Sequence, residues 1–208
     1  IAYVQCAGSR DETLGVPYCS RICCMYAIKQ AMLLSGALPL ADITIYYMDI
    51  RTFGKGYEQF YQNARAMGIE FVKGKVAKIS EDDNKNPIVR VELIDAGSQI
   101  VDRRHDLVVL SVGMVPGYNP QAVYGVPVDR EDGFIHIPAP NFAPCVTNKP
   151  GIFATGAAAG PMDIVDSIVL AGAAAAETAA YLEESNHTIR RFSGNDHQTW
   201  SGRGNEDA

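Results

Sequence analysis

The spacing of apolar positions changes character along the chain, and each change marks a new kind of element. Residues 1–5 read as a short buried strand, followed by a loop over 7–18 containing Gly, Ser and Pro. Over 20–35 the spacing is helical, with Ile22, Tyr26, Ala27, Ala31 and Leu34 on one face. Ser20 reads as its N-cap, and Gly36 and Pro39 end it. Residues 42–49 predict a second strand and 57–67 a second helix, closed by Gly68. The period then drops from 3.6 to 2. Short strands follow at 69–72, 75–79, 88–94, 100–103 and 107–110, with turn signals at 81–87 and 96–98. The prediction is an α/β fold, a parallel sheet with crossover helices plus a small antiparallel meander.

Past Gly113 the chain becomes irregular, with prolines at 116, 120, 127, 138, 140, 144 and 150. A domain junction is expected near Gly117. A strand at 151–154 then meets a Gly/Ala turn at 155–160 and a long helix at 163–183. From 184 to 208 the composition is polar with almost no apolar pattern, which predicts a mobile tail. The expected domains are therefore 1–116 and 117–183, with the tail at 184–208.

A hydrophobic share of 47% and a charged share of 20% describe a globular chain. Eighteen basic against 24 acidic residues, a net charge of −6, argue against nucleic acid as a partner. No uninterrupted apolar run reaches the roughly 18 residues that span a bilayer, so no direct membrane insertion is expected. The sequence opens inside a strand, without an initiator Met or a signal pattern, and is expected to be a piece of something longer.

Four of the five cysteines lie between positions 6 and 24, in the pattern C-x12-C-x3-C-C. Cys6 ends the first strand, and Cys19, Cys23 and Cys24 enter the first helix. If that helix starts at Cys19, then Cys19 and Cys23 share a face. Thiolates arriving from a strand end and a helix N-terminus suit a compact anionic cofactor, because free helical N–H groups stabilise negative charge there. An iron-sulfur cluster is the leading reading. Buried structural cysteines, a zinc staple and a redox-active dithiol remain open.

The stretches Val4-Gln5-Cys6-Ala7-Gly8-Ser9-Arg10-Asp11 and Tyr18-Cys19-Ser20-Arg21-Ile22-Cys23-Cys24-Met25 resemble the A-subunit family of heterodisulfide reductase (HdrA), including its relatives in sulfate-reducer membrane complexes. The likeness continues through 60–65, 107–113 and 151–176, and spans roughly residues 1–183. It implies a thioredoxin-reductase-like flavoprotein with two dinucleotide-binding-type domains. This chain would be a C-terminal part: a nucleotide-binding-like domain with the cysteines, then the return segment of a split FAD domain. The resemblance places a [4Fe-4S] cluster on Cys6, Cys19, Cys23 and Cys24. It implies an oxidoreductase subunit relaying electrons between flavin and clusters, in some cases with bifurcation of electron pairs. Partners would be other redox subunits of a heterodisulfide-reductase-like or membrane-bound oxidoreductase complex. The expected location is the cytoplasm, with peripheral attachment at the inner membrane face through those subunits.

Gly151 to Ala157 resembles the late strand motif with which this superfamily closes on FAD. Gly156 lets backbone approach the cofactor, and Gly113, Ala157, Met162, Asp163 and Ile164 are the other flavin candidates. An Asp usual after that Gly is replaced by Ala157, so one ribityl contact is lost. The chain has no G-x-G-x-x-G. Nicotinamide binding by the first domain is thus disfavoured, and FAD would be completed by residues outside these 208. The competing functions are a pyridine-nucleotide disulfide oxidoreductase with a reactive dithiol and a zinc-stapled non-catalytic module. Cys145 reads as an incidental buried thiol and the four histidines as solvated, while Arg10 and Arg21 flank the cysteines either to raise the cluster potential or to pair with a carboxylate such as Asp11.

Overall fold

The computed structural model describes residues 1–194. Its described part divides into two compact units, the first comprising Ile1–Asn119, Asp129–Gly133 and Pro161–Asp163.

The first unit is a six-stranded sheet of β1 (Ala2–Ala7), β2 (Thr44–Tyr47), β3 (Glu70–Glu81), β4 (Pro87–Leu93), β5 (Gln99–Arg104) and β6 (Val108–Val112), in the order β5-β4-β3-β2-β1-β6. Strand β1 pairs in parallel with both β2 and β6, and β2 pairs in parallel with β3. Strand β4 pairs antiparallel with both β3 and β5. The helices α1 (Cys23–Ala37) and α2 (Tyr57–Ala66) form the crossovers from β1 to β2 and from β2 to β3. A strand bordered on both sides in a parallel sheet is buried on both faces, hence the continuous apolar start of β1.

Alternation along β1 splits the core in two. Tyr3 faces Ala27, Ile28 and Ala31 of α1 together with Ile43, Ile45 and Ala64. Ala2 and Val4 face the opposite way, onto Tyr46, Val72 and the meander residues Val89 and Val91.

Two sequence expectations change here. The strands expected at 69–72 and 75–79 are one strand, β3, parallel to β2 over its first residues and antiparallel to β4 from Gly74 on. Gly74 interrupts the apolar pattern without ending the strand, because a Cβ there would lie 2.5 Å from the Glu92 carbonyl oxygen. The first helix starts at Cys23 rather than Ser20. Arg21 has φ 62°, which a helix does not accommodate, and Ser20 does not act as a cap.

The second unit comprises Pro120–Val128, Phe134–Gly160 and the chain from Ile164 on. It contains α3 (Pro120–Tyr124), a 3₁₀ turn at Gly156–Ala158 and α4 (Ile164–Gly194), with Val126, Ile135 and Ala154 at its core. The strand expected at 151–154 is reduced to one bridge, Val146 with Phe153. Helix α4 runs past the end expected at 183, so part of the expected tail is helical; 195–208 lie outside the described residues. Ile164–Ser185 is long and apolar enough to cross a membrane by length and composition. No uninterrupted apolar run marks it in the sequence, because Asp166 and Ser167 break the run without outweighing its alanines.

Candidate functional site

The loop between β1 and α1 is a built structure. The Asp11 and Val16 backbones exchange two hydrogen bonds, Asp11 N–H to Val16 O at 2.9 Å and Val16 N–H to Asp11 O at 3.1 Å. A 3₁₀ turn at Glu12–Leu14 closes the tip, and the Asp11 carboxylate accepts from the Thr13 N–H at 2.9 Å. The chain therefore doubles back, with the Arg10 N–H bonded to Tyr18 O at 3.0 Å, and Cys19 returns to the end of β1 where Cys6 sits.

All four predicted cysteines are brought together. The Cys6 thiol hydrogen-bonds the Cys23 sulfur and Cys23 in turn that of Cys24, while Cys19 acts electrostatically on both Cys23 and Cys24. Cys23 and Cys24 are buried in the first turn of α1, and Cys19 lies in the preceding loop, so the shared helical face expected for Cys19 and Cys23 does not exist. The hydrogen bonds order the thiols. The bond to Cys23, reinforced by burial, pushes Cys6 far up. The bond to Cys24 pushes Cys23 up to about 11 against the opposing bond from Cys6, and the bond from Cys23 lowers Cys24 against its burial.

Donors and positive charge surround the sulfurs. The Arg21 backbone N–H donates to Cys19 Sγ at 3.3 Å, and Arg10 Nη1 lies 3.9 Å from Cys6 Sγ. Arg10 pairs with Asp49 at 2.7 Å, not with Asp11 as the sequence suggested, since Asp11 is committed to its own turn. Ile22 gives α1 no side-chain cap, which leaves the first-turn N–H groups beside Cys23 and Cys24 available to an anion. Residues after β2 complete the surround: Cys24 Sγ lies 3.9 Å from Asp49 O, and the Arg21 guanidinium lies 5.1 Å from the Phe53 ring centroid. Asp49 and Phe53 carry no local sequence signal.

Backbone strain gathers at the same place. Five described non-glycine residues have positive φ, and three of them, Cys6 (59°) at the end of β1 and Arg10 (57°) and Arg21 (62°) in the loop that follows, lie here. Such conformations cost energy and cluster where a site demands a particular geometry.

Gln5 is 8% and Ser9 is 2% exposed, and both Gln5 amide atoms and Ser9 Oγ lack hydrogen-bond partners. Among the described residues, no group of three or more His, Cys, Asp or Glu side chains is arranged around a single metal ion. A cluster distributes its thiolates over several iron atoms, and thiols that receive the Arg21 N–H and the Arg10 guanidinium, at the uncapped start of α1, fit that anionic group.

The flavin candidates divide between the units. Gly113, Met162 and Asp163 belong to the first, and Gly156, Ala157 and Ile164 to the second. Gly113 packs against the cysteine loop: a Cβ there would sit 1.9 Å from Ser20 Oγ, which accepts the Met114 N–H at 2.9 Å. Gly156 has φ 62°, so backbone conformation favours glycine there, and the neighbouring Thr155 Oγ1 is buried without a partner. Cys145 is fully buried, and its thiol donates to Leu170 O at 3.3 Å, a structural role within the second unit.

The chain matches no protein-family model. It is 47% identical over 186 residues to the second CoB–CoM heterodisulfide reductase iron-sulfur A-subunit of Methanopyrus kandleri, covering 88% of this chain and 28% of that protein. It is 42% identical over 193 residues to the CoB–CoM heterodisulfide reductase iron-sulfur A-subunit of Methanocaldococcus jannaschii, covering 91% and 29%. The chain is a relative of the heterodisulfide reductase A-subunits. The A-subunit of the ferredoxin/F(420)H(2)-dependent CoB–CoM heterodisulfide reductase of Methanosarcina acetivorans is 38% identical over 182 residues, 85% of this chain and 22% of that protein. The chain thus spans under a third of the length of these A-subunits. Thioredoxin reductase of T. acidophilum aligns with a TM-score of 0.52 at 19% identity, over 90% of this chain and 53% of that one. This likeness makes the fold of the A-subunit relative thioredoxin-reductase-like α/β.

Proposed function

We propose that this chain is the cluster-bearing part of an electron-transfer flavoprotein of the HdrA type, an oxidoreductase component that works with other redox subunits. The observation that carries the reading is the gathering of Cys6, Cys19, Cys23 and Cys24 at the carboxyl edge of β1, the place where open α/β sheets bind their ligands.

Cys6, Cys19, Cys23 and Cys24 hold a [4Fe-4S] cluster. Bound there, it supplies one-electron transfer. The residues around it stabilise negative charge: Arg10 by its guanidinium, Arg21 by its backbone N–H and the start of α1 by its free N–H groups. In the second unit, Gly156, Ala157 and Ile164 contribute to flavin binding. The left-handed Gly156 and the unpartnered Thr155 hydroxyl support that assignment. FAD is completed by residues outside these 208, and the isolated chain is expected to hold it weakly.

The test is iron and acid-labile sulfide per chain in protein purified without oxygen, with its visible spectrum. About four of each are expected, lost when Cys19, Cys23 and Cys24 become Ala. Negligible iron overturns the reading; two thiols released by mild reduction would then point to a dithiol enzyme, and zinc without sulfide to a structural staple.

A further inference from the structure

We propose that the Gln5 side-chain amide donates a hydrogen bond to a sulfur of the group held by the four cysteines, and thereby sets its reduction potential. This rests on the iron-sulfur reading.

Gln5 precedes Cys6 in β1, where pairing with β6 is irregular. The register runs Val4 to Leu110 and then jumps to Ala7 with Val112, leaving Gln5 and Cys6 inside the irregularity. Cys6 there has φ 59°. An irregular strand end of this kind re-aims the side chains it contains. Gln5, Cys6, Ser9 and Arg10 line one side of a cavity of about 210 Å³ whose other side is Tyr46, Met48 and Val76, and of the four cysteines only Cys6 borders it.

The amide inside this arrangement is 8% exposed, and neither its nitrogen nor its oxygen has a partner. A buried amide left unpaired is disfavoured enough that native cores almost always satisfy it. A glutamine that served only packing would be better replaced by leucine or methionine. The chemistry that answers it is an acceptor arriving with the cofactor. Thiolate and sulfide sulfurs accept hydrogen bonds and donate none, which matches the two N–H bonds of Nε2. Such bonds strengthen as the cluster gains an electron, so a donor favours the reduced form and raises the potential.

The test uses full-length protein purified without oxygen, with Gln5→Leu and the near-isosteric Gln5→Glu. Iron and sulfide content are measured beside a potentiometric titration followed by electron paramagnetic resonance. Both variants are expected to keep the parent's iron. Gln5→Leu should shift the one-electron reduction equilibrium about tenfold toward the oxidised form, about 59 mV more negative, and Gln5→Glu further still. The apo form of Gln5→Leu should unfold no more readily than the parent, since it loses an unpaired amide. An unchanged potential at full iron content overturns the role of Gln5 while leaving the cluster in place, and loss of iron from both folded variants also overturns it. Absence of iron from the parent removes the iron-sulfur reading itself, a separate result.

Discussion

Arg10 and Asp49 form an ion pair of 2.7 Å between the loop that follows Cys6 and the segment that follows β2. Arg10 also lies 3.9 Å from Cys6 Sγ, so one guanidinium is shared between a carboxylate and a sulfur. The side chains are 23% and 46% exposed, and a pair this wet contributes under about 1 kcal/mol to stability. Its consequence is electrostatic. Asp49→Asn keeps an acceptor for Arg10 and removes the opposing charge, so the midpoint potential of the proposed cluster should become more positive with the unfolding midpoint almost unmoved. A large stability loss with no change of potential would show that the pair serves the fold alone.

Gly113→Ala should destabilise the protein by about 1–3 kcal/mol, the range for overpacking a filled interior. The added Cβ meets Ser20 Oγ at 1.9 Å and Ser20 Cβ at 2.9 Å, and Ser20 is fully buried. Pairing the change with Ser20→Gly should recover part of the loss, and a double-mutant cycle on urea unfolding measures the coupling. Strict additivity of the two changes would mean that the two positions do not press on each other.

Gly74→Ala tests the point where β3 exchanges one neighbour for another. The new Cβ would fall 2.5 Å from Glu92 O and 2.7 Å from Val91 Cγ2, and the first of these is backbone that cannot rotate aside. A loss of about 2 kcal/mol is expected from the thermal midpoint. Full tolerance would show that β4 shifts freely against β3.

The gathering of the cysteines was legible because strand, loop and helix follow one another closely in sequence. The detail was not, for reasons that are long-range. Ser20 looks like a cap to its own helix, yet its hydroxyl accepts the Met114 N–H, 94 residues away. Arg10 has an acidic neighbour in Asp11, but its partner is Asp49, 39 positions on. Gly74 reads as a strand break because local pattern sees the missing side chain and not the Glu92 carbonyl pressed against it. The fold class survives all three errors because it depends on the order of elements, whereas the site depends on which distant group claims each polar atom.

Glu70 couples stability to pH. Burial pushes its carboxyl up, but hydrogen bonds from Arg103 at 2.9 Å and Thr44 at 2.8 Å, with the Arg103 charge, outweigh burial and leave it below the usual carboxylate value of 4.5. A folded-state value depressed below the unfolded one means that the stabilisation is fully present above about pH 4.5 and is lost as pH falls through the folded value. The carboxylate is half exposed and its arginine partner a third, so the contribution stays under about 1 kcal/mol. Glu70→Gln should therefore be slightly less stable than the parent at pH 7, with the two converging as pH falls below the usual carboxylate value and through the folded one. Urea midpoints measured from about pH 7 to pH 3 check this, and parallel curves across that range would show that Glu70 titrates alike in the folded and unfolded chains.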